Sequence, residues 1–230
     1  MAAPHAPGVA IVAGAGTGLG QAVALTLSGS GVAVVAVDRS EAGLKGLPDD
    51  IRREVADATD PAVPGPLIDR IAREVGPPDA LVNTIGAFEL GDALSITPES
   101  LRVMIDVNLG AALWLTQAAV PHMQQNGGGA IVHITSRPGI EPAPGVAAYA
   151  TAKAALAHLT RILDIELRSS GIRVNAVAPQ VIATAKNKAM FPPEMLVDAV
   201  EPEAVADIIA FLVSDAATPT SGAIVPTYGG

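Results

Sequence analysis

Tyr149 and Lys153 are the pair of side chains in this sequence best suited to acid–base chemistry. They lie four residues apart in a segment with helical character, so both should project from one face of that helix. An ammonium group beside a phenol favours the phenolate, and the pair therefore predicts a Tyr149 pKa lowered from about 10 toward the working range. A tyrosine tuned in this way can donate a proton to a nascent alkoxide or accept one from an alcohol.

Ser136 is the predicted partner of this pair at the reacting oxygen. It follows an apolar β-like run and lies 13 residues before Tyr149. Its hydroxyl could hydrogen-bond a substrate oxygen and stabilise the charge that develops there. Acyl transfer by Ser136 is the rival interpretation, but the sequence lacks a Gly-x-Ser-x-Gly motif and a well-placed histidine base.

A glycine-rich turn predicts a dinucleotide site. The turn joins an apolar β run to a helix and has the sequence Gly14, Ala15, Gly16, Thr17, Gly18, Leu19, Gly20. Glycine lets the backbone approach a pyrophosphate, and the N–H groups at the helix start face its charge. A structural glycine turn without a ligand is the alternative interpretation of the same residues.

Asp38 and Arg39 bear on the choice of cofactor. Asp38 lies 18 positions beyond Gly20, at the end of the second apolar run. Its carboxylate could accept hydrogen bonds from the adenosine ribose hydroxyls and would repel a 2′-phosphate, which favours NAD(H). The Arg39 guanidinium could instead meet a 2′-phosphate, so NADP(H) stays open.

Such residues need a scaffold, and the chain alternates β-like with helix-like segments. Apolar runs predict strands over residues 8–13, 32–37, 51–55, 80–85, 130–135, 172–177 and 223–225. Helices are predicted over residues 17–28, 63–75, 98–125, 147–169 and 202–214, with proline-rich loops at 61–66, 138–144 and 192–193. The alternation predicts an α/β fold, a single Rossmann-like, doubly wound parallel sheet of about seven strands with helices on both faces. We expect residues 1–230 to form one domain.

The composition narrows the class of function. Half of the 230 residues are hydrophobic but only 3% are aromatic, so the core should be aliphatic. A net charge of −9 without a basic stripe disfavours nucleic-acid binding. The chain has no cysteine, and its four histidines lack metal-ligand spacing, so no metal site is predicted. The stretch MAAPHAPG has no basic signal-peptide region, and no apolar stretch is expected to reach the roughly 18 residues of a membrane span, so a cytoplasmic protein is expected.

Taken in order, these motifs resemble the short-chain dehydrogenase/reductase family, classical type. The matching features are the spacing of Gly14, Gly18 and Gly20, Asp57 in DATD, Asn83-Thr84-Ile85-Gly86, Asn108 in VNLG, Ser136, the Tyr149-x-x-x-Lys153 motif, RVNAVAP ending at Pro179, and FLVSDAATPTSGAIVP. The resemblance covers nearly the whole chain. It implies an NAD(P)(H)-dependent oxidoreductase, such as a carbonyl reductase, that moves a hydride between nicotinamide and a carbonyl or secondary alcohol.

The resemblance also implies roles for individual residues. The catalytic set would be Ser136, Tyr149, Lys153 and Asn108, with Lys153 holding the nicotinamide ribose and Asn108 supporting a water that links Lys153 to solvent. The implied cofactor contacts are Gly14, Gly16, Thr17, Gly18, Leu19, Gly20, Asp38, Arg39, Asp57, Asn83, Gly86, Tyr149, Lys153, Pro179, Ile182 and Thr184.

Several positions depart from the family pattern. Ala13 replaces a threonine, which removes a hydroxyl that could tie the glycine turn to a neighbouring strand. Thr84 and Ile85 replace Asn and Ala, and Gln180 stands where glycine is usual. Residues 184–201 predict a short substrate lid, in which Lys186 and Lys188 could meet an anionic substrate or simply be solvated.

Two other functions stay open beside the dehydrogenase. One is a non-catalytic, NAD-binding regulatory protein, and the other is an isomerase or dehydratase on the same scaffold. The expected partner is a small carbonyl or alcohol substrate, with neither nucleic acid nor membrane. The resemblance further implies a homodimer or homotetramer that pairs through the helices over 98–125 and 147–169.

Overall fold

The computed structural model describes residues 7–229, and a seven-stranded parallel sheet forms its centre. The strands are β1 Val9–Ala13, β2 Ala33–Asp38, β3 Arg52–Val55, β4 Ala80–Asn83, β5 Gly129–Ile134, β6 Ile172–Pro179 and β7 Ile224–Thr227. Their order is β3-β2-β1-β4-β5-β6-β7, and each neighbouring pair is parallel. Because the winding reverses between β1 and β4, a crevice opens outside the carboxyl ends of these strands, where such sheets bind ligands.

Helices connect the strands and cover both faces of the sheet. They are α1 Gly18–Gly29, α2 Glu41–Leu44, α3 Pro64–Glu74, α4 Pro98–Ile105, α5 Ala111–Gln125, α6 Ala147–Leu167, α7 Ala185–Met190, α8 Pro193–Leu196 and α9 Pro202–Val213. The sequence had not predicted the short helices α2, α7 and α8. Pro64 and Pro193 each begin a helix, because the first turn does not need their missing N–H. Pro193 had been predicted in a loop, whereas Pro64 lies within the helix predicted over 63–75.

Side chains alternate between two apolar clusters along the central strands. In β1, Ala10 and Val12 pack with α1 and α9, whereas Ile11 and Ala13 pack with α3 and α5. Both faces of the strand are therefore buried, which explains why it is apolar throughout. The doubly wound parallel sheet confirms the predicted fold class.

The predicted helix over 98–125 is interrupted by a π-helical turn at Asp106–Gly110. Its start agrees with the prediction, because the Thr97 hydroxyl caps α4 by accepting a hydrogen bond from the Ser100 N–H at 3.1 Å. The sequence had not predicted the π turn. Such turns often occur at functional sites, and this one contains Asn108.

The same helical segment overturns one sequence expectation. Pro98–Gln125 spans 28 residues and is, by length and composition, apolar enough to cross a membrane. The expectation that no apolar stretch reaches this length was therefore wrong. Leu115, Ala119 and Met123 are fully buried against the sheet, as in a core helix. The N-terminal stretch considered for a signal peptide lies mainly in residues 1–6, outside the described residues.

Candidate functional site

Ser136, Tyr149 and Lys153 come together at the carboxyl edge of the sheet. Ser136 follows β5 in extended conformation, and its hydroxyl accepts a hydrogen bond from the Gly139 N–H at 3.2 Å. Tyr149 lies in the first turn of α6, and Lys153 follows one turn later. Ser136 and Lys153 are only 2% and 4% exposed, so little water reaches these two side chains, whereas Tyr149 is half-buried.

Lys153 is held by the backbone rather than by the tyrosine oxygen. Its Nζ donates a hydrogen bond to the Ile134 carbonyl at 2.8 Å and lies 6.0 Å from the centroid of the Tyr149 ring. Burial disfavours the charged ammonium and lowers the pKa of Lys153 from 10.5 to about 8. At neutral pH the group still carries its proton.

The predicted lowering of the Tyr149 pKa was wrong. Burial of the phenol raises its pKa above the ordinary value, and the nearby Ser136 hydroxyl offsets only part of that rise. Spacing along the helix predicts an attraction between phenolate and ammonium, but it does not predict how much water the phenolate loses on burial. Tyr149 therefore remains protonated at neutral pH, the form required of a proton donor.

Asn108 ties the loop after β4 to the π turn. Its Oδ1 accepts from the Ala87 N–H at 3.1 Å, and its Nδ2 donates to the carbonyls of Ala87 and Met104 at 3.0 Å each. Gly86 lies between Asn108 and Lys153, because a Cβ there would come within 3.1 Å of Asn108 Oδ1 and 3.2 Å of Lys153 Nζ. The structure thus brings the four predicted catalytic residues to one place, while the water that Asn108 would support stays a prediction.

The glycine turn sits in the crevice between β1 and β4. Gly14 and Gly18 have positive φ values of 83° and 56°, which side chains disfavour. A Cβ on Gly20 would lie 2.1 Å from the Gly14 carbonyl oxygen, so α1 can approach the turn only with glycine there. Thr84, directly after β4, stabilises the turn because its hydroxyl donates a hydrogen bond to the Ala13 carbonyl oxygen at the end of β1. The result is a glycine cradle at a helix start, an arrangement that fits a pyrophosphate.

Asp38 lies under this cradle at the end of β2. Its Oδ2 accepts from the Gly16 N–H at 2.9 Å, and its Oδ1 accepts from the Ser40 N–H at 2.8 Å. Two backbone donors thus fix the carboxylate beside the turn. Farther along this edge, the pKa of Asp57 is lowered by hydrogen bonds from Thr59 and, less strongly, by the charge of Arg39. The charge of Arg39 thus acts on Asp57 at this edge of the sheet.

The remaining predicted cofactor residues border the crevice. Asn83 ends β4, and its buried Nδ2 has no hydrogen-bond partner among residues 7–229. Pro179 ends β6, and the Thr184 side chain would lie 3.0 Å from a Cβ on Gly18, so the loop after β6 reaches the glycine turn. Thr17 is the exposed residue before α1, whereas the Leu19 side chain packs into the core and leaves only its backbone for a ligand.

Phe88 is a site residue that sequence reasoning missed, and it lies beside Phe191 of the predicted lid. The Phe88 ring meets the Tyr149 ring edge-on, with centroids 5.0 Å apart, and meets the Phe191 ring in the same way at 5.6 Å. The chain has only three phenylalanines, so two of them beside the predicted acid form an aromatic wall. Their rarity was the one available signal in the sequence.

Arg137 is a second missed residue and directly follows Ser136. Its Nε donates to Glu141 Oε2 at 2.7 Å, its Nη1 donates to Gln180 Oε1 at 2.8 Å, and its Cζ lies 4.7 Å from the centroid of the Tyr228 ring. This explains Gln180 and Tyr228, to which the sequence gave no role. Within the described part of the chain, no group of His, Asp and Glu side chains could hold a metal ion.

Comparison with known proteins agrees with this geometry. The short chain dehydrogenase family model matches residues 8–194. The chain is 35% identical to cis-4-hydroxycyclohexanecarboxylate dehydrogenase of Sinomonas cyclohexanicum, over 96% of this chain and 95% of that protein. It is 31% identical to the 3-oxoacyl-[acyl-carrier-protein] reductase FabG of Thermotoga maritima, with 96% of both chains covered.

Solved structures show the same fold. A short-chain dehydrogenase/reductase from Burkholderia xenovorans superposes with a TM-score of 0.91 at 28% identity, covering 95% of this chain and 94% of that one. ElxO with NADP bound superposes with a TM-score of 0.91 at 25% identity, covering 97% and 98%. The chain therefore belongs to the short-chain dehydrogenase family of oxidoreductases.

Proposed function

We propose that this protein transfers a hydride between NAD(H) and a carbonyl or secondary-alcohol carbon, with Tyr149 as the general acid or base. The observation that carries the proposal is that buried Ser136 and Lys153 and half-buried Tyr149 lie together at the carboxyl edge of the sheet that also holds the glycine cradle. A proton donor and a dinucleotide cradle at the same edge of the sheet are what such a reaction requires.

The side chains divide the work at the substrate oxygen. When bound, the nicotinamide supplies or accepts the hydride. The Ser136 hydroxyl donates a hydrogen bond to the substrate oxygen and stabilises its growing negative charge. The Tyr149 hydroxyl, protonated at neutral pH, gives its proton to that oxygen during reduction and takes it back during alcohol oxidation. The Lys153 ammonium supports the phenolate that remains and holds the nicotinamide ribose.

The crevice also supports a preference for NAD(H). The glycine cradle would hold the pyrophosphate, and the Asp38 carboxylate lies where it can accept from the adenosine ribose hydroxyls. Two backbone N–H groups fix this negative charge, which opposes a 2′-phosphate. Arg39 could weaken that opposition, and a related structure holds NADP. Parallel titrations with NADH and NADPH test the preference, which would be refuted by equal or tighter binding of NADPH.

We further propose that residues 184–201 form a substrate lid on this single domain. The segment leaves the sheet after Ile182 and returns to pair with it, since the Ala183 N–H donates to the Val200 carbonyl at 2.8 Å. Both ends of the segment are thus held at one point. Phe191, which follows α7, contacts the Phe88 ring and so joins the lid to the aromatic wall.

The substrate we propose is a small carbonyl compound or alcohol. The named relatives act on an alicyclic hydroxy acid, on a 3-oxoacyl group carried by a protein and, in Galactitol 2-dehydrogenase of Rhizobium johnstonii, on a sugar alcohol. Their diversity supports the reaction class rather than one substrate. The decisive experiment measures NADH oxidation with a panel of ketones and aldehydes for the wild type and for Tyr149→Phe.

The outcomes of that experiment separate the competing functions. We expect turnover that falls by about 100-fold or more in Tyr149→Phe, with NADH affinity retained. Equal rates in the two proteins would remove Tyr149 as the acid. Tight NADH binding without turnover of any substrate would favour a regulatory protein. Substrate conversion without a net change in nicotinamide absorbance would favour an isomerase or dehydratase.

We also propose a cytoplasmic homodimer or homotetramer. Leu101 and Val103 on α4 and Ile162 and Ile165 on α6 are exposed apolar side chains on the two helices expected to pair, with Ile165 at 75% exposure. Burial of these side chains between subunits would remove an apolar surface from water. Light scattering tests this proposal, and a mass near 23.1 kDa, the mass of one chain, would refute it.

A further inference from the structure

The Arg137 guanidinium is fixed in place beside the site. Glu141 accepts its Nε–H, Gln180 accepts an Nη1–H, and the Tyr228 ring lies 4.7 Å from Cζ. These contacts come from three different parts of the chain. An arginine that only solubilises a surface needs no such support, because long charged side chains lose entropy when they are held in one geometry.

These contacts use two of the five guanidinium N–H groups. The N–H groups on the outer edge of the guanidinium have no partner among residues 7–229. Within residues 7–229, Nη2 makes no hydrogen bond, and Nη1 has a second N–H beside it. The side chain is 42% exposed, so the edge is reachable from solvent. Such an edge matches the two oxygens of a carboxylate or sulfonate.

The position of Arg137 in the sheet relates it to the substrate rather than to the dinucleotide. The cradle and Asp38 lie at the ends of β1 and β2, and Ser136 follows β5. Gln180 and Tyr228 follow β6 and β7, on the other side of Ser136 from Asp38. A dinucleotide that runs from Asp38 past Ser136 to the predicted contact Pro179 therefore leaves Gln180 and the end of β7 for the rest of the substrate.

Apolar surface lies next to the same reacting point. Phe88 contacts Tyr149, and Phe191 continues the wall across the lid. A substrate whose oxygen reaches Ser136 and Tyr149 thus meets aromatic rings on one side and a guanidinium on another. The two features suit different parts of one molecule.

We propose that the substrate is a carbonyl or alcohol compound with an apolar ring or chain that also bears a carboxylate or sulfonate, and that Arg137 binds this anionic group. The inference rests on the proposed function. Glu141 does not prevent such binding, because it occupies the Nε side of the guanidinium, and its own side chain is 50% exposed to solvent. Gln180 and Tyr228 are positioning residues for Arg137.

Other cations near the site are less suited to this role. Lys188 on the lid already lies 3.4 Å from Glu201, and both side chains are more than half exposed. Lys186 is an exposed lid residue on the same helix. A lysine is a mobile point charge, whereas the arginine edge is held in place by three neighbours.

A matched pair of probes tests the proposal without requiring turnover. Calorimetry would measure the affinity of the protein with saturating NAD⁺ for 4-acetylbenzoate and for its uncharged methyl ester. We expect the carboxylate to bind about five- to tenfold more tightly than the ester, as fits a partly exposed charge-assisted pair. Arg137→Gln should abolish that preference while leaving the ester's affinity unchanged.

Control variants separate Arg137 from other positive charges. Arg102→Gln removes an exposed arginine paired with Glu99 on α4 and should retain the preference, as should Lys186→Gln. Glu141→Gln should increase the preference, because it removes the competing negative charge. Equal binding of the two probes, failure of the carboxylate to bind, or a preference that persists in Arg137→Gln would overturn the proposal.

The same experiment distinguishes failure of this inference from failure of the proposed function. Absent turnover in the carbonyl panel, combined with an Arg137-dependent carboxylate preference, would contradict only the oxidoreductase proposal. Turnover that depends on Tyr149, combined with equal binding of the two probes, would contradict only the anionic substrate.

Discussion

The Thr84 hydroxyl donates to the carbonyl oxygen of Ala13 at 2.8 Å and lies 3.2 Å from that of Gly14. Thr84 follows β4, and Ala13 ends β1, so this contact joins the two central strands at the glycine turn. Ala13 and Thr84 both depart from the pattern expected of the family. The structure shows that the hydroxyl missing at position 13 is replaced from the opposite strand, so the two departures compensate each other.

Replacing Thr84 tests this compensation. Thr84→Val keeps the shape of the side chain but removes the donor, and we expect it to lower the free energy of unfolding by about 1 kcal/mol. The turn should also hold NADH more weakly, because its carbonyls lose their fixed position. Urea denaturation and NADH titration measure the two effects. Thr84→Ser keeps the hydroxyl and should stay close to the wild type, whereas a Thr84→Val protein as stable as the wild type would show that this hydrogen bond does not hold the turn.

Much of the fold could be predicted because buried parallel strands are continuous apolar runs. The run over 32–37 and the observed β2, Ala33–Asp38, differ by one residue at each end. β6 is different, because it continues two residues beyond the predicted end to Pro179, through pairing with β7. The π turn at Asp106–Gly110 has no characteristic residue pattern, so the sequence could not predict it.

The candidate site was predictable where chain spacing determines geometry. Tyr149 and Lys153 share a helix, so four residues of spacing suffice to place them on one side. The contacts of Arg137 with Gln180 and Tyr228 depend instead on strand order, which brings the ends of β6 and β7 beside Ser136. The direction of the Tyr149 pKa shift depends on how deeply the ring is buried, a property of the whole fold.

Asp38 should control the choice between the two dinucleotides. Removing its carboxylate in Asp38→Ala should weaken NADH binding about tenfold, since charge-assisted hydrogen bonds to the ribose are lost, while NADPH binding stays equal or improves. Fluorescence titration with both cofactors measures the change. Arg39→Gln is the matched control at the adjacent position and should affect only NADPH. An unchanged ratio of the two affinities in Asp38→Ala would exclude Asp38 as the selecting residue.

His133 should make the protein sensitive to acid. The residue is fully buried in β5, and burial together with the nearby Lys153 charge lowers its pKa from 6.5 to about 4. Below pH 6.5 His133 binds a proton in the unfolded chain, whereas in the folded chain it binds one only below about pH 4. The stability of the folded protein therefore falls as the pH drops through this window. The full loss is about 3 kcal/mol.

A pH series of urea denaturation curves measures the His133 effect. His133→Leu should flatten the slope of stability between pH 6.5 and about pH 4. His158→Gln changes an exposed histidine on α6 and should leave the slope unchanged. A slope that survives in His133→Leu would mean that carboxylates dominate the response to acid.

The buried ammonium of Lys153 should lower the stability of the folded protein, although the proposed reaction requires it. Its folded pKa of about 8 lies below the ordinary 10.5, so below pH 8 both states are protonated and the folded state carries the full cost of a buried ammonium. From about pH 8 to 10.5 the folded state loses its proton first, and stability rises with pH. Lys153→Met should therefore raise the free energy of unfolding at neutral pH by about 1–3 kcal/mol, after the lost bond to the Ile134 carbonyl is included, and should abolish turnover.

Urea denaturation between neutral pH and pH 10.5 measures the free energy of unfolding of the wild type and of Lys153→Met, with Lys188→Met as the exposed-lysine control. A less stable Lys153→Met protein, or one that keeps the rise above pH 8, would show that the buried ammonium is not the source of the cost.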